Sequence, residues 1–498
     1  MIELSVAEIA RIVGGELADI TAVDAATTLV SGTVEFDSRA LAPGGLFLAL
    51  PGARTDGHDF AAAAVAAGAV AVLAARPVGV PAIVVTPEPG DVSASVLEHD
   101  TDGSGAAVLT ALGRLAAEVA RRLVAGGLTI VGVTGSSGKT STKDLLAAVL
   151  APLGRVIAPP GSFNNELGHP WTVLRADQNT DYLVLEMSAR HPGNIAALAA
   201  IAPPQIAVVL NVGTAHLGEF GSRQAIADTK AELPQSVPAT GVVVLNADDP
   251  TVAAMAAKTP ARVVRVSRHN GGGNGADVWA DDVQLDAEAR PSFTLHARDA
   301  EVPIRLAVHG DHQVSNALCA AAVALECGAT GEQLATALAG AGPVSAHRMA
   351  VTTRADGVTI VNDAYNANPD SMRAGLQALA WMARGADGER RRSFAVLGEM
   401  AELGDDAISE HDRIGRLVVR LDVSRLIVVG TGRPMSAMHH GAVMEGSWGA
   451  ESTQVADPQA ALELLRAELR AGDVVLVKAS KSAGLAALAE TLLGDISR

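Results

Sequence analysis

The chain has 498 residues, too many for one hydrophobic core, and at roughly 100–200 residues per domain it divides into two to four. Apolar residues make up 49% and aromatics only 3%, so those cores are built from Ala, Val and Leu. A formal net charge of −17 excludes a general nucleic-acid binder, which needs Lys and Arg to displace phosphate counterions, but leaves room for a local basic pocket.

Met1-Ile2-Glu3-Leu4 lacks the basic flank and apolar run of a signal peptide, and no long apolar run marks a membrane span. The expectation is a cytoplasmic protein. Residues 46–50 and 82–85 read as short buried strands, and 58–73 and 106–124 as helices. Gly126-Gly127 punctuates the chain and suggests a boundary. Beyond it, 128–133 reads as a buried strand, followed by a glycine-rich turn and a helix to Leu150. Further strands are expected at 182–187, 206–212 and 242–246, alternating with helices, which predicts a parallel sheet covered on both faces. Gly271 to Gly275 reads as a surface loop, 277–308 as an antiparallel excursion, and 312–327 as a helix holding Cys319 and Cys327 as small packed groups. After a break near Gly340-Ala341-Gly342-Pro343 the pattern restarts, with strands expected at 358–363, 394–398, 425–430 and 473–478.

The strongest motif is Gly135-Ser136-Ser137-Gly138-Lys139-Thr140 at a strand-to-helix junction. Its backbone N–H groups can wrap phosphate oxygens, Lys139 can neutralise the β- and γ-phosphates, and Thr140 can offer its hydroxyl to Mg²⁺. The longer P-loop wants Gly where Val133 stands, so this is a shorter loop. Glu186, His216 and Lys230 follow at or beyond strand ends, where parallel sheets gather their ligands. Read singly, Glu186 is equally a solvated strand end and His216 a loop histidine. Asn164-Asn165-Glu166 and Asn246 to Asp249 are polar turns that either contact a substrate or simply shape the backbone. His312 and Asn316 share a helix face. In the last third, Asp363-Ala364-Tyr365-Asn366-Ala367-Asn368-Pro369 leads from a strand into a helix, with Arg348 upstream and Lys478-Ala479-Ser480-Lys481 ending the last strand.

With these residues together, the chain resembles the Mur ligase family over nearly its whole length. Thr134 to Thr140 is similar to the family's short ATP loop and Asn164-Asn165-Glu166-x-Gly168 to a muropeptide-contacting segment. Asn246 to Asp249 and Gly310-x-His312-x-x-x-Asn316 are similar to nucleotide-side motifs. Asp37-Ser38-Arg39, Asp363 to Met372 and Leu397 to Gly404 resemble the branch that joins D-alanyl-D-alanine to UDP-N-acetylmuramoyl-tripeptide. The Asp-Asn-Pro-Arg motif of the branch adding the preceding diamino acid is absent.

The resemblance implies an α/β fold of three domains. A small UDP-muropeptide-binding domain would span residues 1–125, a central P-loop-type domain with a mostly parallel sheet 126–342, and a Rossmann-like C-terminal domain 343–498. It implies ATP and two Mg²⁺ ions, with Thr134, Gly135, Ser136, Ser137, Gly138, Lys139, Thr140, Asn316, Arg348 and Asp363 on the nucleotide. Thr140, Glu186, His216 and a carbamylated Lys230 would hold metal. Ser38, Arg39, Asn164, Asn165, Asn366 and Lys478 would hold substrate. Lys139, Glu186, His216 and Lys230 would form the catalytic set of an amide ligase working through an acyl phosphate, as a monomer. The chain departs from the family in His347-Arg348, where relatives often have Gly-Arg, and in Lys481, where they often have Arg, which surrenders bidentate recognition. A P-loop nucleotide switch is the rival from another class; it would not need Glu186, His216 and Lys230 together.

Overall fold

The computed structural model describes residues 1–87, 99–215, 217–269, 275–297, 300–385, 390–446 and 451–495. Two expectations, His216 as a ligand and most of the Gly271–Gly275 loop, lie outside the described residues. Three α/β domains follow one another, each built on its own sheet.

The N-terminal sheet runs in the order Glu16–Ala18, Ala82–Val84, Ala69–Ala74, Gly45–Leu48 and Val34–Glu35, parallel except for the first strand. Here the expected helix over 58–73 is corrected. A 3-10 turn at Gly57–Phe60 and a helix at Ala61–Ala66 give way to the strand Ala69–Ala74. Gly68, at φ +119°, makes the break. The strand is buried on both faces, so its Ala-Val-Ala-Val-Leu-Ala run lacks the polar alternation that would have marked it.

The helix Ser104–Ala125 buries Val108, Leu112, Leu115 and Val119, spaced four, three and four residues apart on one stripe. That stripe belongs to an apolar cluster running from Ile9 and Leu46 to Leu183 and Val209. The N-terminal and central domains therefore share a continuous core across Gly126-Gly127.

Among the described residues the central sheet has nine strands, in the order Ala300–Arg305, Pro291–Ala297, Val278–Leu285, Arg262–Ser267, Val242–Asn246, Ile206–Val209, Thr129–Thr134, Tyr182–Glu186 and Val156–Ile157. Pairing is parallel from Val156–Ile157 through Val278–Leu285, and the last two strands add the antiparallel excursion. Thr129–Thr134 lies between Tyr182–Glu186 and Ile206–Val209. The glycine-rich loop therefore emerges beside Glu186 on one flank and Leu210-Asn211 on the other. Helix Gln313–Glu326 packs on this sheet with Cys319 buried inside it, while Cys327 falls just past its end. Burial pushes the two thiols up to about 12 and about 11, which suits inert packing.

The C-terminal sheet runs Ala350–Thr353, Thr359–Asn362, Val474–Lys478, Ser393–Leu397, Arg425–Val429 and Ser452–Val455, parallel apart from the first strand. Separate apolar clusters cover its two faces. Among the described residues no helix is long and apolar enough to cross a membrane.

Candidate active site

The loop after Thr129–Thr134 enters helix Lys139–Leu150 through Gly138, whose φ is +81° and which offers no side-chain cap. The first N–H groups of that helix therefore stay available to an anion. A Cβ at Gly138 would fall 2.7 Å from Asn316 Oδ1, so both conformation and space demand glycine. Asn211 Oδ1 accepts from the Ser136 and Ser137 N–H groups, each at 3.0 Å, and pins the loop. Lys139 Nζ donates to the Gly135 carbonyl at 2.7 Å. Burial pushes its ammonium below the usual range, Glu186 opposes the shift, and Arg348 adds to it.

Glu186, only 1% exposed, is the hub beside this loop. It accepts from Thr140 Oγ1 at 3.1 Å, Ser162 Oγ at 2.9 Å and Asn164 Nδ2 at 2.7 Å. Its direct partners are neutral, and hydroxyl oxygens stand around its buried carboxyl group. Hard oxygen donors of this kind fit Mg²⁺, which keeps several waters and takes one or two carboxylates plus substrate phosphates. Among the described residues no group of three or more His, Cys, Asp or Glu gathers at metal-binding distance; of the expected ligands, Thr140 and Glu186 touch each other. Lys230 lies in helix Arg223–Ser236, capped by Ser222, and is 7% exposed. Burial drives its amine well below the ordinary lysine value, and the nearby Lys139 charge drives it further.

The C-terminal domain brings in Arg348, whose guanidinium lies 4.1 Å from the Tyr365 ring centroid and donates to Thr140 Oγ1 at 3.2 Å. Asp363 and Lys478 form a buried pair, with Nζ 2.5 Å from Oδ2 and a second bond to the Asn366 carbonyl at 3.1 Å. Asn368 caps helix Pro369–Met382 and reaches the Ser136 carbonyl at 3.3 Å.

Two cavities meet at the loop. One, of about 520 Å³, is lined by Ser137, Gly138, Asn246, Asp249, His312, Asn316, Asp363 and Lys478. The other, of about 440 Å³, is lined by Lys139, Thr140, Asn164, Asn165, Glu186, Asn366 and Lys481. Ser137, Gly138, Ser141, Arg348 and Ser371 line both. Ser38 and Arg39 line neither. Arg39 is exposed and turned onto Asp37, whose carboxyl it holds at about 2. The connection to them runs through Glu35, which accepts from the Trp171 indole at 3.3 Å, and Phe36, 6.5 Å from the Phe163 ring. Sequence inspection missed Ser162 and Asn211. Asn211 carried a signal, a lone amide ending an apolar strand; Ser162 carried none.

Residues 133–324 match the Mur ligase middle domain, 347–481 the Mur ligase, glutamate ligase domain, and 32–114 the Mur ligase family, catalytic domain. The chain is 73% identical to the UDP-N-acetylmuramoyl-tripeptide--D-alanyl-D-alanine ligase of Mycobacterium tuberculosis (strain ATCC 25618 / H37Rv), over 99% of this chain and 98% of that one. The chain belongs to the Mur ligase family. As a Mur ligase it is similar in structure to MurF from Acinetobacter baumannii, with a TM-score of 0.80 and 29% identity over 99% of both chains. It is also similar to the MurF ligase from Thermotoga maritima in complex with ADP, with a TM-score of 0.73 and 28% identity over 93% of this chain and 97% of that one. Within this Mur ligase the glycine-rich loop, Glu186, Lys230 and Asn316 fall in the middle-domain match, and Arg348, Asp363, Asn366 and Lys478 in the glutamate ligase match.

Proposed function

We infer that the chain is an ATP-dependent ligase of peptidoglycan-precursor synthesis that joins D-alanyl-D-alanine to UDP-N-acetylmuramoyl-tripeptide. The observation that carries this is the glycine-rich loop serving as the common wall of two cavities. A nucleotide in the first can present its γ-phosphate to a carboxylate in the second. A nucleotide switch has no use for the second cavity.

The chemistry follows from that arrangement. The tripeptide carboxylate attacks the γ-phosphorus, the bond to ADP breaks, and an acyl phosphate forms. The neutral amine of D-alanyl-D-alanine then adds to the acyl carbon and gives up one proton to solvent, and phosphate leaves with the amide bond made. The chain's part is positioning and charge neutralisation. Lys139, the helix N-terminus behind Gly138 and Arg348 converge on the transferred group. Asn164, Asn165 and Asn366 orient the peptide in the second cavity. Asn316, Asp363 and the loop from Thr134 to Thr140 hold the nucleotide, and Lys478, expected on the substrate, instead has its ammonium taken up by Asp363 and the Asn366 carbonyl, which it keeps in place. Ser38 and Arg39 take the UDP end, with the Phe36–Phe163–Trp171 ring cluster between them and Asn164.

Mg²⁺ held by Thr140 and Glu186, with a second ion taken up by Lys230, would neutralise phosphate charge. Lys230 serves that second site as a carbamate. Its lowered pKa supplies the free amine that reacts with CO₂, releasing a proton and leaving an anionic oxygen donor. An ammonium there would repel the ion. ATP use and two unpaired thiols fit a cytoplasmic setting.

A phosphate-release assay tests the assignment. Release should require ATP, UDP-N-acetylmuramoyl-tripeptide and D-alanyl-D-alanine together; release with ATP alone at the same rate would exclude a ligase.

A further inference from the structure

Lys143 stands one turn beyond Lys139 on the loop helix, and none of the chemistry above uses it. Its side chain is 2% exposed, an expensive place for an ammonium unless every donor is engaged. Nζ lies 2.6 Å from Asp144 Oδ1, 2.8 Å from the Pro159 carbonyl and 3.2 Å from Ser345 Oγ. Asp144 turns its other oxygen to the Ser345 N–H at 3.2 Å. One buried pair thus ties together three segments. They are the loop helix, the stretch after Val156–Ile157 that carries Ser162 to Glu186, and the linker into the C-terminal domain.

That linker carries Arg348. The residues on either side of it, His347 and Met349, have φ of +58° and +48°, a left-handed conformation that side chains disfavour. Such a backbone persists only when fixed from both ends. On the C-terminal side Asp363 Oδ1 accepts from the Met349 N–H at 3.0 Å, and the His347 carbonyl accepts from the Tyr365 N–H at 3.2 Å. On the other side the fixed point is Ser345, held by Lys143 and Asp144.

We propose that Lys143 is a positioning residue that, through Ser345, clamps the interdomain linker so that Arg348 is held over Thr140 at the wall between the two cavities. The proposal rests on the ligase assignment, because it acts through the placement of Arg348 at the transferred phosphate. A residue that only stabilises the fold would depress activity regardless of what stands at 348. A clamp loses its effect once Arg348 is gone.

The experiment is a double-mutant cycle on the full chain, read as phosphate release with all three substrates, with thermal unfolding as the fold check. Lys143→Met should lower kcat by about 100-fold, the scale of a misplaced catalytic group, with KM for D-alanyl-D-alanine changed far less. In an Arg348→Ala background the same substitution should cost under about threefold, since coupled sites do not add. Ser345→Ala removes one hydroxyl and should lower kcat by about fivefold alone, and by under about twofold with Arg348→Ala. It carries the cycle if Lys143→Met fails to fold. Equal losses in both backgrounds overturn the clamp while leaving the ligase assignment standing. A wild-type chain that does not turn over defeats the assignment, and the clamp with it.

Discussion

Lys139 and Lys230 are two amines near one another, both depressed by burial, yet the surroundings give them different work. Lys139 sits at an open helix N-terminus, where under the proposed function its positive charge meets phosphate. Lys139→Ala should remove about 3–4 kcal/mol of transition-state stabilisation, the scale of a single preorganised electrostatic donor. Measured as kcat/KM, a loss below tenfold would remove Lys139 from the phosphates. Lys230 has Lys139 beside it, so an added positive charge there is disfavoured and a carbamate is not. Lys230→Ala should cost about 100-fold in kcat, in line with loss of a metal-site group, with thermal unfolding unchanged and part of the rate restored by acetate. Wild-type turnover in the variant would dispose of the carbamate. His347 departs from the glycine expected there by resemblance, and its φ of +58° suits a residue without a Cβ.

At the scale of elements, helix Gly168–Val173 follows directly on the Asn164-Asn165 turn and holds His169 fully buried. Its ring nitrogens make no well-formed hydrogen bond, the Leu198 backbone being only a weak partner, and burial lowers its pKa to about 4. The folded ring therefore binds its proton less readily than the unfolded one. Stability is undiminished above the unfolded value of 6.5, declines as the pH falls, and levels off below about 4. The full decline is roughly 3 kcal/mol. Urea midpoints at pH about 7.5 and about 5 should therefore diverge less for His169→Leu than for the natural chain. Parallel shifts in the two proteins would clear His169 of responsibility. The strand Ala69–Ala74 belongs to this scale as well. Its composition suits a helix as well as a strand, and only its position between two paired strands settled the matter.

For the whole molecule, the C-terminal domain also meets the central one at the rim of the second cavity. Arg190 Nη2 lies 2.9 Å from Glu402 Oε1, and the Gly218 N–H donates to the Glu402 carbonyl at 3.3 Å. Gly218 and Gly404 approach so closely that a Cβ on Gly404 would fall 2.7 Å from the Gly218 Cα. Gly404→Ala should therefore hold the domains apart and lower kcat by about tenfold or more with the fold intact, as misplacement across a closing interface does. Small-angle scattering with ATP analogue and muropeptide should give a larger radius of gyration for the variant than for the natural chain. Equal radii and equal rates would show that this contact plays no part in closure.

Much of the molecule was legible in the order of its residues. Alternation of buried strands with helical stretches dictated parallel sheets, because each pattern reports the faces an element must cover. The glycine-rich loop announced phosphate chemistry because its groups are crowded into six residues, whereas Glu186 and the Asp363–Met372 segment, open to bland readings by themselves, gained roles only through the resemblance to the Mur ligases. What sequence order could not supply were partners distant along the chain. Asn211 pinning Ser136 and Ser137, Ser162 on Glu186, and Lys143 on Ser345 are contacts across 24 to 202 positions. They exist because strand order places those ends together. The functions of the loop were written in its own six residues, but its place as a wall between two cavities was decided only when the third domain folded against the second.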